Sequence, residues 1–169
     1  MHGAFLCYLW SFARLFLRTP SGRKRFNVLG ALDFATREVT KVTNLTYITS
    51  ATVCELLQRL VTQCPGIPIT LVLDNARYQR CRLVQDLAAQ LGIELLFLPS
   101  YSPNLNLIER LWKFVKSECL NGKYYETFED FQTSIEACLS ELASEHCSAM
   151  KTLLTRNFQL FDKEQFLQV

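Results

Sequence analysis

Residues 69–75 have the sequence ITLVLDN, and residues 93–99 have the sequence IELLFLP. Each is a short, continuous apolar run, which is the pattern of a strand buried on both faces of a sheet. Between them, residues 81–91 suit a helix that stops at Gly92, the residue type favoured just beyond a helix end. A strand, a helix and a second strand in this order imply a right-handed crossover and a parallel pair. This stretch therefore predicts an α/β fold.

The segments upstream predict an antiparallel hairpin. Residues 26–34 form an apolar run, and residues 36–48 alternate β-branched and polar side chains, so the chain is expected to turn near residues 35–37. A helix capped by Ser50 or Thr52 is expected to follow and to run to about Gln63. A hairpin followed by parallel units is the order of an RNase H-like α/β fold, a mixed sheet flanked by helices.

The chain is expected to form one domain, since its 169 residues suit a single core. We expect the core in residues 26–120 and a helical part in residues 124–169, with Thr127 and Asp130 capping a helix from Phe128 to about Leu142. Seven scattered cysteines without a CxxC pair argue against a zinc site and a disulfide framework, and favour a reducing cytoplasm. The apolar opening stretch lacks the features of a signal peptide and is too short to span a membrane.

Two acids stand where a reactive site is expected in such a fold. Asp74 ends the first apolar run, and the active sites of open α/β sheets lie beyond the carboxyl ends of their parallel strands. Glu109 lies near the start of the next helix, and 34 residues, 75 to 108, separate the two acids. Alone, Asp74 is more often a turn residue, and Glu109 more often pairs with Lys113. Together they could hold Mg²⁺, which takes a few carboxylates and keeps several waters.

The sequence around these two acids resembles the motifs of a known family. LVLDNARYQ, followed by LPSYSPNLNLIERLWKFVK, resembles the second and third acidic motifs of bacterial insertion-sequence transposases of the mariner-like DDE superfamily. The resemblance implies that Asp74 and Glu109 are catalytic metal ligands for Mg²⁺ or Mn²⁺. It implies DNA strand cleavage and transfer at transposon ends, with DNA as partner and a homodimer as the assembly. It also implies a bacterial, nucleoid-associated protein.

The sequence departs from that family in three places. Leu107 replaces a common proline, Gln79 replaces a common histidine, and the first catalytic aspartate of the family has no counterpart before His2. Asp33 is the obvious substitute, but next to the hairpin turn it is expected to be a solvated turn residue. We therefore expect a chain that lacks the first strand of the fold. Two alternatives stay open: an inactive remnant that binds DNA or full-length transposase, and a stand-alone RNase H-like nuclease.

The net charge of only +2 means that affinity for DNA would have to come from clustered basic residues. The densest basic run is predicted to contact DNA phosphates, and a second group follows Glu109. The residues expected to bind nucleic acid are Arg14, Arg18, Arg23, Lys24, Arg25, Lys113 and Lys116.

Overall fold

A computed structural model of the chain describes Phe12, residues 24–99 and residues 105–155. The first two strands form the predicted hairpin. Strand β1 (Asn27–Leu32) pairs antiparallel with β2 (Val39–Asn44), with Asn27 opposite Asn44 and Leu32 opposite Val39. Its turn is built by Asp33, whose Oδ1 accepts hydrogen bonds from the backbone N–H groups of Ala35 (2.6 Å) and Thr36 (3.0 Å). The expectation for Asp33 is met: it is an exposed turn residue.

Helix α1 (Ser50–Gln63) follows the hairpin and buries Val53, Leu56 and Leu57. The predicted cap was wrong by one residue, since Thr49 is the residue that precedes the first helical turn. Its backbone N–H donates to Oγ1 of Thr52 (3.2 Å). Thr52 therefore closes the helix start from inside the first turn, as in a capping box.

The two apolar runs at residues 69–75 and 93–99 form the predicted pair of parallel strands. Strand β3 (Ile69–Leu73) pairs in parallel with β4 (Ile93–Phe97). Helix α2 (Arg82–Leu91) connects the two strands and ends at Gly92, whose φ is 69°. The expectation that both faces of β3 are buried was wrong for the described residues, because Val72 is 45% exposed. Helices α1 and α2 cover only the other face of the pair, where Ile69 and Leu71 pack.

Three further helices lie on the face of the hairpin that is opposite α1: α3 (Leu107–Cys119), α4 (Phe128–Ser140) and α5 (Cys147–Leu153). Thr127 caps α4 as predicted, accepting a hydrogen bond from the N–H of Asp130 (3.1 Å). Alternate residues of β1 divide between the two helical layers. Val28 and Leu32 pack on the α3–α5 side, whereas Leu29 and Ala31 pack on the α1 side. The hairpin is thus the middle layer between two groups of helices.

A cleft of about 680 Å³ separates the hairpin from the parallel pair. Consecutive residues of β1 and of β3 line it, so the edges of the two strands face each other across it. The side chains of Thr40 and Gln63 are hydrogen-bonded, and Thr40 lies opposite Ala31. Because Gln63 ends the helix before β3, the end of β1 lies toward the start of β3. Asp33 and Asp74 are therefore at opposite ends of the cleft.

The predicted absence of a first strand concerns the chain before β1, where Phe12 alone is described ahead of Lys24, so it stays a prediction. No helix in the described part of the chain has the length and apolar character needed to cross a membrane.

Candidate active site

Asp74 directly follows the last residue of β3 and is half-buried at one end of the cleft. Its Oδ1 accepts a hydrogen bond of 2.7 Å from Nδ2 of Asn106, a residue 32 positions further along the chain. The carboxylate is thereby held in one orientation. Its position beyond the carboxyl end of a parallel strand is the one in which open α/β sheets place reactive groups.

Asn106 connects Asp74 to the start of helix α3. The residue is buried, and its Oδ1 accepts a hydrogen bond from the N–H of Ile108 (3.3 Å), which caps the helix. Its backbone oxygen accepts a hydrogen bond from the N–H of Glu109 (3.2 Å). Asn106 thus caps α3 and is also hydrogen-bonded to the side chain of Asp74 and to the backbone of Glu109. The sequence predicted a helix starting near Glu109, but nothing in it pointed to the contact of Asn106 with Asp74.

Glu109 lies in the first turn of α3, is partly buried and lines the same cleft as Asp74. Backbone N–H groups at a helix start carry partial positive charge, which stabilises a carboxylate there. The ion pair with Lys113 considered from the sequence does not form among the described residues. Within the described part of the chain, the position of Glu109 is therefore set by its helix and not by a neighbouring cation.

The loop after β3 is fixed by Arg80. Its Nη1 donates to Oδ1 of Asn75 (2.7 Å), and its guanidinium lies 5.4 Å from the centre of the Phe97 ring. Tyr78, in the same loop, also lines the cleft. Burial raises the pKa of the Tyr78 hydroxyl, and the negative charge of Asp74 raises it further. The phenol is thus close enough to Asp74 to sense its charge.

Gln79 is a buried polar residue that lines the cleft with Asp74 and Glu109. It is only 7% exposed, and its side-chain Oε1 has no hydrogen-bond partner among the described residues. An unpaired buried acceptor costs about 1–3 kcal/mol, so this is an unusual arrangement. The sequence marked Gln79 only as a replacement for histidine and gave no sign of its burial.

These groups fit a hard divalent cation. Carboxylate and amide oxygens are the ligands that Mg²⁺ and Mn²⁺ accept, and Mg²⁺ needs only one or two carboxylates beside its waters. Gln79 Oε1 is a buried oxygen that accepts no hydrogen bond from residues 24–99 or 105–155. In residues 24–99 and 105–155, however, no group of three or more His, Cys, Asp or Glu side chains could hold a metal ion. The described part of the site therefore supplies two acids.

The basic residues predicted to contact nucleic acid are only partly described. Lys24, Arg25, Lys113 and Lys116 are exposed. Arg14, Arg18 and Arg23 lie outside the described residues. Lys113 follows Glu109 by one helical turn and Lys116 by about two, so α3 carries positive charge near the cleft.

The chain matches the DDE superfamily endonuclease family over residues 13–132. It belongs to that family. The matched residues make up well over half of the chain and include both Asp74 and Glu109. The fold predicted from the sequence therefore agrees with membership of the DDE superfamily.

Solved structures of three complexes share the fold of this DDE domain. The Mos1 mariner paired-end complex with Mn has a TM-score of 0.62 at 15% identity, covering 92% of this chain and 51% of that one. The Mos1 complex with the left transposon end has a TM-score of 0.58 at 16% identity, covering 90% and 51%. A simian T-cell lymphotropic virus intasome with the PP2A regulatory subunit B56 gamma has a TM-score of 0.55 at 18% identity, covering 82% and 51%.

A protein from Sinorhizobium fredii (strain NBRC 101917 / NGR234), "Uncharacterized protein y4pE/y4sA", is 29% identical over 80 residues. The match covers 47% of this chain and 57% of that protein. The chain spans about half the length of the proteins it matches. At such low identity the structural likeness shows the fold alone, and that fold is RNase H-like.

Proposed function

We propose that this domain is the catalytic part of a transposase that cleaves and transfers DNA strands at transposon ends with the help of Mg²⁺ or Mn²⁺. The observation that carries the proposal is the hydrogen bond of 2.7 Å from Asn106 to Asp74, because it joins the strand-end aspartate to the helix that presents Glu109. Two of the solved structures that share the fold are complexes of a transposase with transposon ends or with Mn.

In this proposal Asp74 and Glu109 would hold the divalent cation. Such an ion, when bound, lowers the pKa of a coordinated water and stabilises charge on phosphate oxygens. Asn106 keeps the Asp74 carboxylate oriented, and the start of α3 stabilises the charge of Glu109. Lys113 and Lys116 are exposed on the same helix and would neutralise phosphates of the bound strand.

The proposal is tested first by metal binding and then by cleavage. We expect weak Mn²⁺ binding by calorimetry, since two carboxylates make an incomplete set of ligands, and we expect Asp74→Asn and Glu109→Gln each to weaken it further. Glu94→Gln is the matched control, because that exposed strand carboxylate does not line the cleft. Equal Mn²⁺ binding by all four proteins would remove Asp74 and Glu109 from the site.

A second candidate is a domain that binds DNA without cutting it. It is favoured by the position of Asp33, which sits in the hairpin turn at the far end of the cleft from Asp74. Mg²⁺-dependent nicking of transposon-end DNA distinguishes the two candidates. Nicking that is lost in Asp74→Asn supports the transposase, whereas DNA binding without nicking supports the second candidate. Nicking that depends on Asp33 would contradict its assignment as a turn residue.

A further inference from the structure

A notch of about 400 Å³ lies at the start of β1 and the end of β2, and we call it the Tyr47 notch. Its walls include Lys24, Arg25, Tyr47 and Phe128, and neither Asp74 nor Glu109 lines it. Pockets that hold small molecules measure roughly 300–1,000 Å³, so the notch has room for one flat ring system. It is a second concave surface, separate from the cleft that contains the acids.

Two aromatic rings of the notch each lie next to a cation. The Arg25 guanidinium is 4.6 Å from the centre of the Tyr47 ring, and the Lys24 ammonium is 5.2 Å from the centre of the Phe128 ring. Tyr47 is nevertheless 68% exposed, so much of its ring remains open to solvent. A guanidinium on an aromatic ring is planar and still presents N–H donors at its edges. The pair therefore offers both a stacking surface and donors for an anion.

The backbone that carries Tyr47 is held by a network of asparagine side chains. Nδ2 of Asn44 donates to the backbone oxygen of Tyr47 (3.1 Å), and its Oδ1 accepts from the N–H of Thr46 (3.2 Å). Asn27 donates to Oδ1 of Asn44 (3.0 Å) and to the backbone oxygen of Thr46 (2.9 Å). An exposed aromatic ring on a braced loop loses little freedom when it binds, which favours affinity.

The notch keeps a net positive charge, because Lys24 and Arg25 line it together with a single acid, Glu129. Lys24 lies 3.9 Å from Glu129, but both side chains are well exposed and such pairs contribute little. Arg25 forms no ion pair with any residue of the described part of the chain. A polyanion could therefore bind both cations without breaking a strong contact.

We propose that the Tyr47 notch binds an unpaired base of a DNA strand, which stacks on Tyr47 while Arg25 and Lys24 contact its phosphates. Stacking on exposed aromatic rings beside basic groups is how proteins bind single strands with little sequence preference. A base in a duplex is already stacked on both faces, so the notch selects unpaired strands. The choice of DNA rests on the proposed function, because strand cleavage produces ends at which bases can separate.

The test compares a single-stranded DNA oligonucleotide with a blunt duplex of equal length, by fluorescence anisotropy with the full chain and a metal chelator. Tyr47→Leu is expected to weaken single-strand binding about tenfold and to leave duplex binding within about twofold. Tyr47→Phe keeps the ring and is expected to bind like the wild type. Tyr124→Leu is the matched control, because Tyr124 is 49% exposed and lies outside the notch.

A second readout keeps the test valid if Tyr47→Leu proves unstable. The Tyr47→Trp variant places an indole in the notch, and its added fluorescence is expected to be quenched by the single strand and not by the duplex. Unchanged single-strand binding by Tyr47→Leu, or no quenching, would overturn the proposal. Tighter Tyr47-dependent binding of an RNA strand would overturn the choice of DNA.

The two proposals can fail separately. The notch is measured without metal, whereas Asp74→Asn is measured by Mn²⁺ binding. Loss of Mn²⁺ binding in Asp74→Asn with no effect of Tyr47→Leu would refute the notch alone. A Tyr47 effect with unchanged Mn²⁺ binding in Asp74→Asn would refute the active-site assignment alone.

Discussion

Asn106 does two separate things with one side chain, and substitutions can separate them. Its Oδ1 caps α3 through Ile108, and its Nδ2 holds Asp74. Serine can still cap the helix but is too short to reach the carboxylate, whereas alanine can do neither. Comparing the two variants therefore isolates the contribution of the contact with Asp74.

We predict that Asn106→Ala lowers the free energy of unfolding by about 0.5–2 kcal/mol, the usual cost of losing a cap. Asn106→Ser is expected to retain most of that stability. Both are expected to weaken Mn²⁺ binding, because Asp74 loses its orienting hydrogen bond. Urea denaturation and calorimetry give the two quantities. Full Mn²⁺ affinity in Asn106→Ser would show that the asparagine matters only to the helix.

At Gln79 we predict a substitution that raises the free energy of unfolding. Its Oε1 is buried and has no hydrogen-bond partner in the described part of the chain, so replacing the amide with an apolar side chain of similar size removes the desolvation cost. Gln79→Met is expected to raise the free energy of unfolding in metal-free buffer by roughly 1 kcal/mol. Gln85→Met is the control, since Nε2 of Gln85 donates to the backbone of Arg80 (2.8 Å) and is not orphaned. A clearly less stable Gln79→Met protein would mean that the oxygen has a partner.

Tyr78 reports the charge of Asp74 through its pKa. Burial raises the pKa of Tyr78 and the Asp74 charge raises it further, so Asp74→Asn is expected to lower it while the contribution of burial remains. Because the folded-state pKa is raised, stability is fully present below the unfolded pKa of about 10 and is lost as pH rises through the folded value. Asp74→Asn should therefore lose less stability at alkaline pH. Tyrosinate absorbance, corrected with Tyr78→Phe, measures the shift, and an unchanged pKa would place the two groups apart.

At the scale of elements, local patterns were sufficient where a single segment determines its own structure. Alternation predicted the hairpin, and the residues expected at the helix ends predicted α1 and α2 almost to the residue. What could not be predicted depends on partners distant in sequence. The exposed face of β3 follows from where the helices pack, and the contact of Asn106 with Asp74 spans 32 residues. Neither leaves a periodic signal in the chain.

Gly92 joins α2 to β4 in a conformation that costs other residues energy. Its φ is 69°, and a Cβ added there would meet no atom within 4 Å. The energetic cost of a side chain at this position therefore comes from the left-handed backbone conformation and not from a clash with neighbouring atoms. Gly92→Ala is expected to lower the free energy of unfolding by about 1–2 kcal/mol, and Gly92→Asn by less. Urea denaturation tests this. Equal stability of the alanine variant would mean that the turn relaxes to another conformation.

At the scale of the whole molecule, the hairpin lies between two groups of helices, and the acids and the Tyr47 notch occupy different surfaces. Trp112 of α3 comes close to Gly30 of β1: a Cβ added to Gly30 would lie 3.1 Å from its ring. The absence of a side chain at Gly30 lets the helix that carries Glu109 approach the hairpin. The position of the site is thus coupled to the packing of the middle layer.

Binding to DNA is expected to depend on clustered charge, because the net charge of the chain is only +2. Lys24, Arg25, Lys113 and Lys116 are exposed. If all four contact phosphates of a duplex, the logarithm of the binding constant should fall with the logarithm of salt concentration with a slope of about −3 to −4 from these residues alone. Phosphate contacts carry no base information, so the binding should show little sequence preference.

We predict that replacing Lys113 and Lys116 by glutamine makes that slope less steep by about two, because each lost phosphate contact contributes about 0.9 to it. Arg59→Gln is the matched control. Arg59 lies on α1, on the far side of the hairpin, and is already paired with Glu55 at 2.7 Å and with the backbone of Lys41. Its removal should lower affinity slightly through net charge and leave the slope unchanged. Titrations from low to physiological salt measure both quantities. A slope that changes equally in Arg59→Gln and in the lysine variants would mean that DNA senses the overall charge of the molecule and that α3 has no special part in binding it.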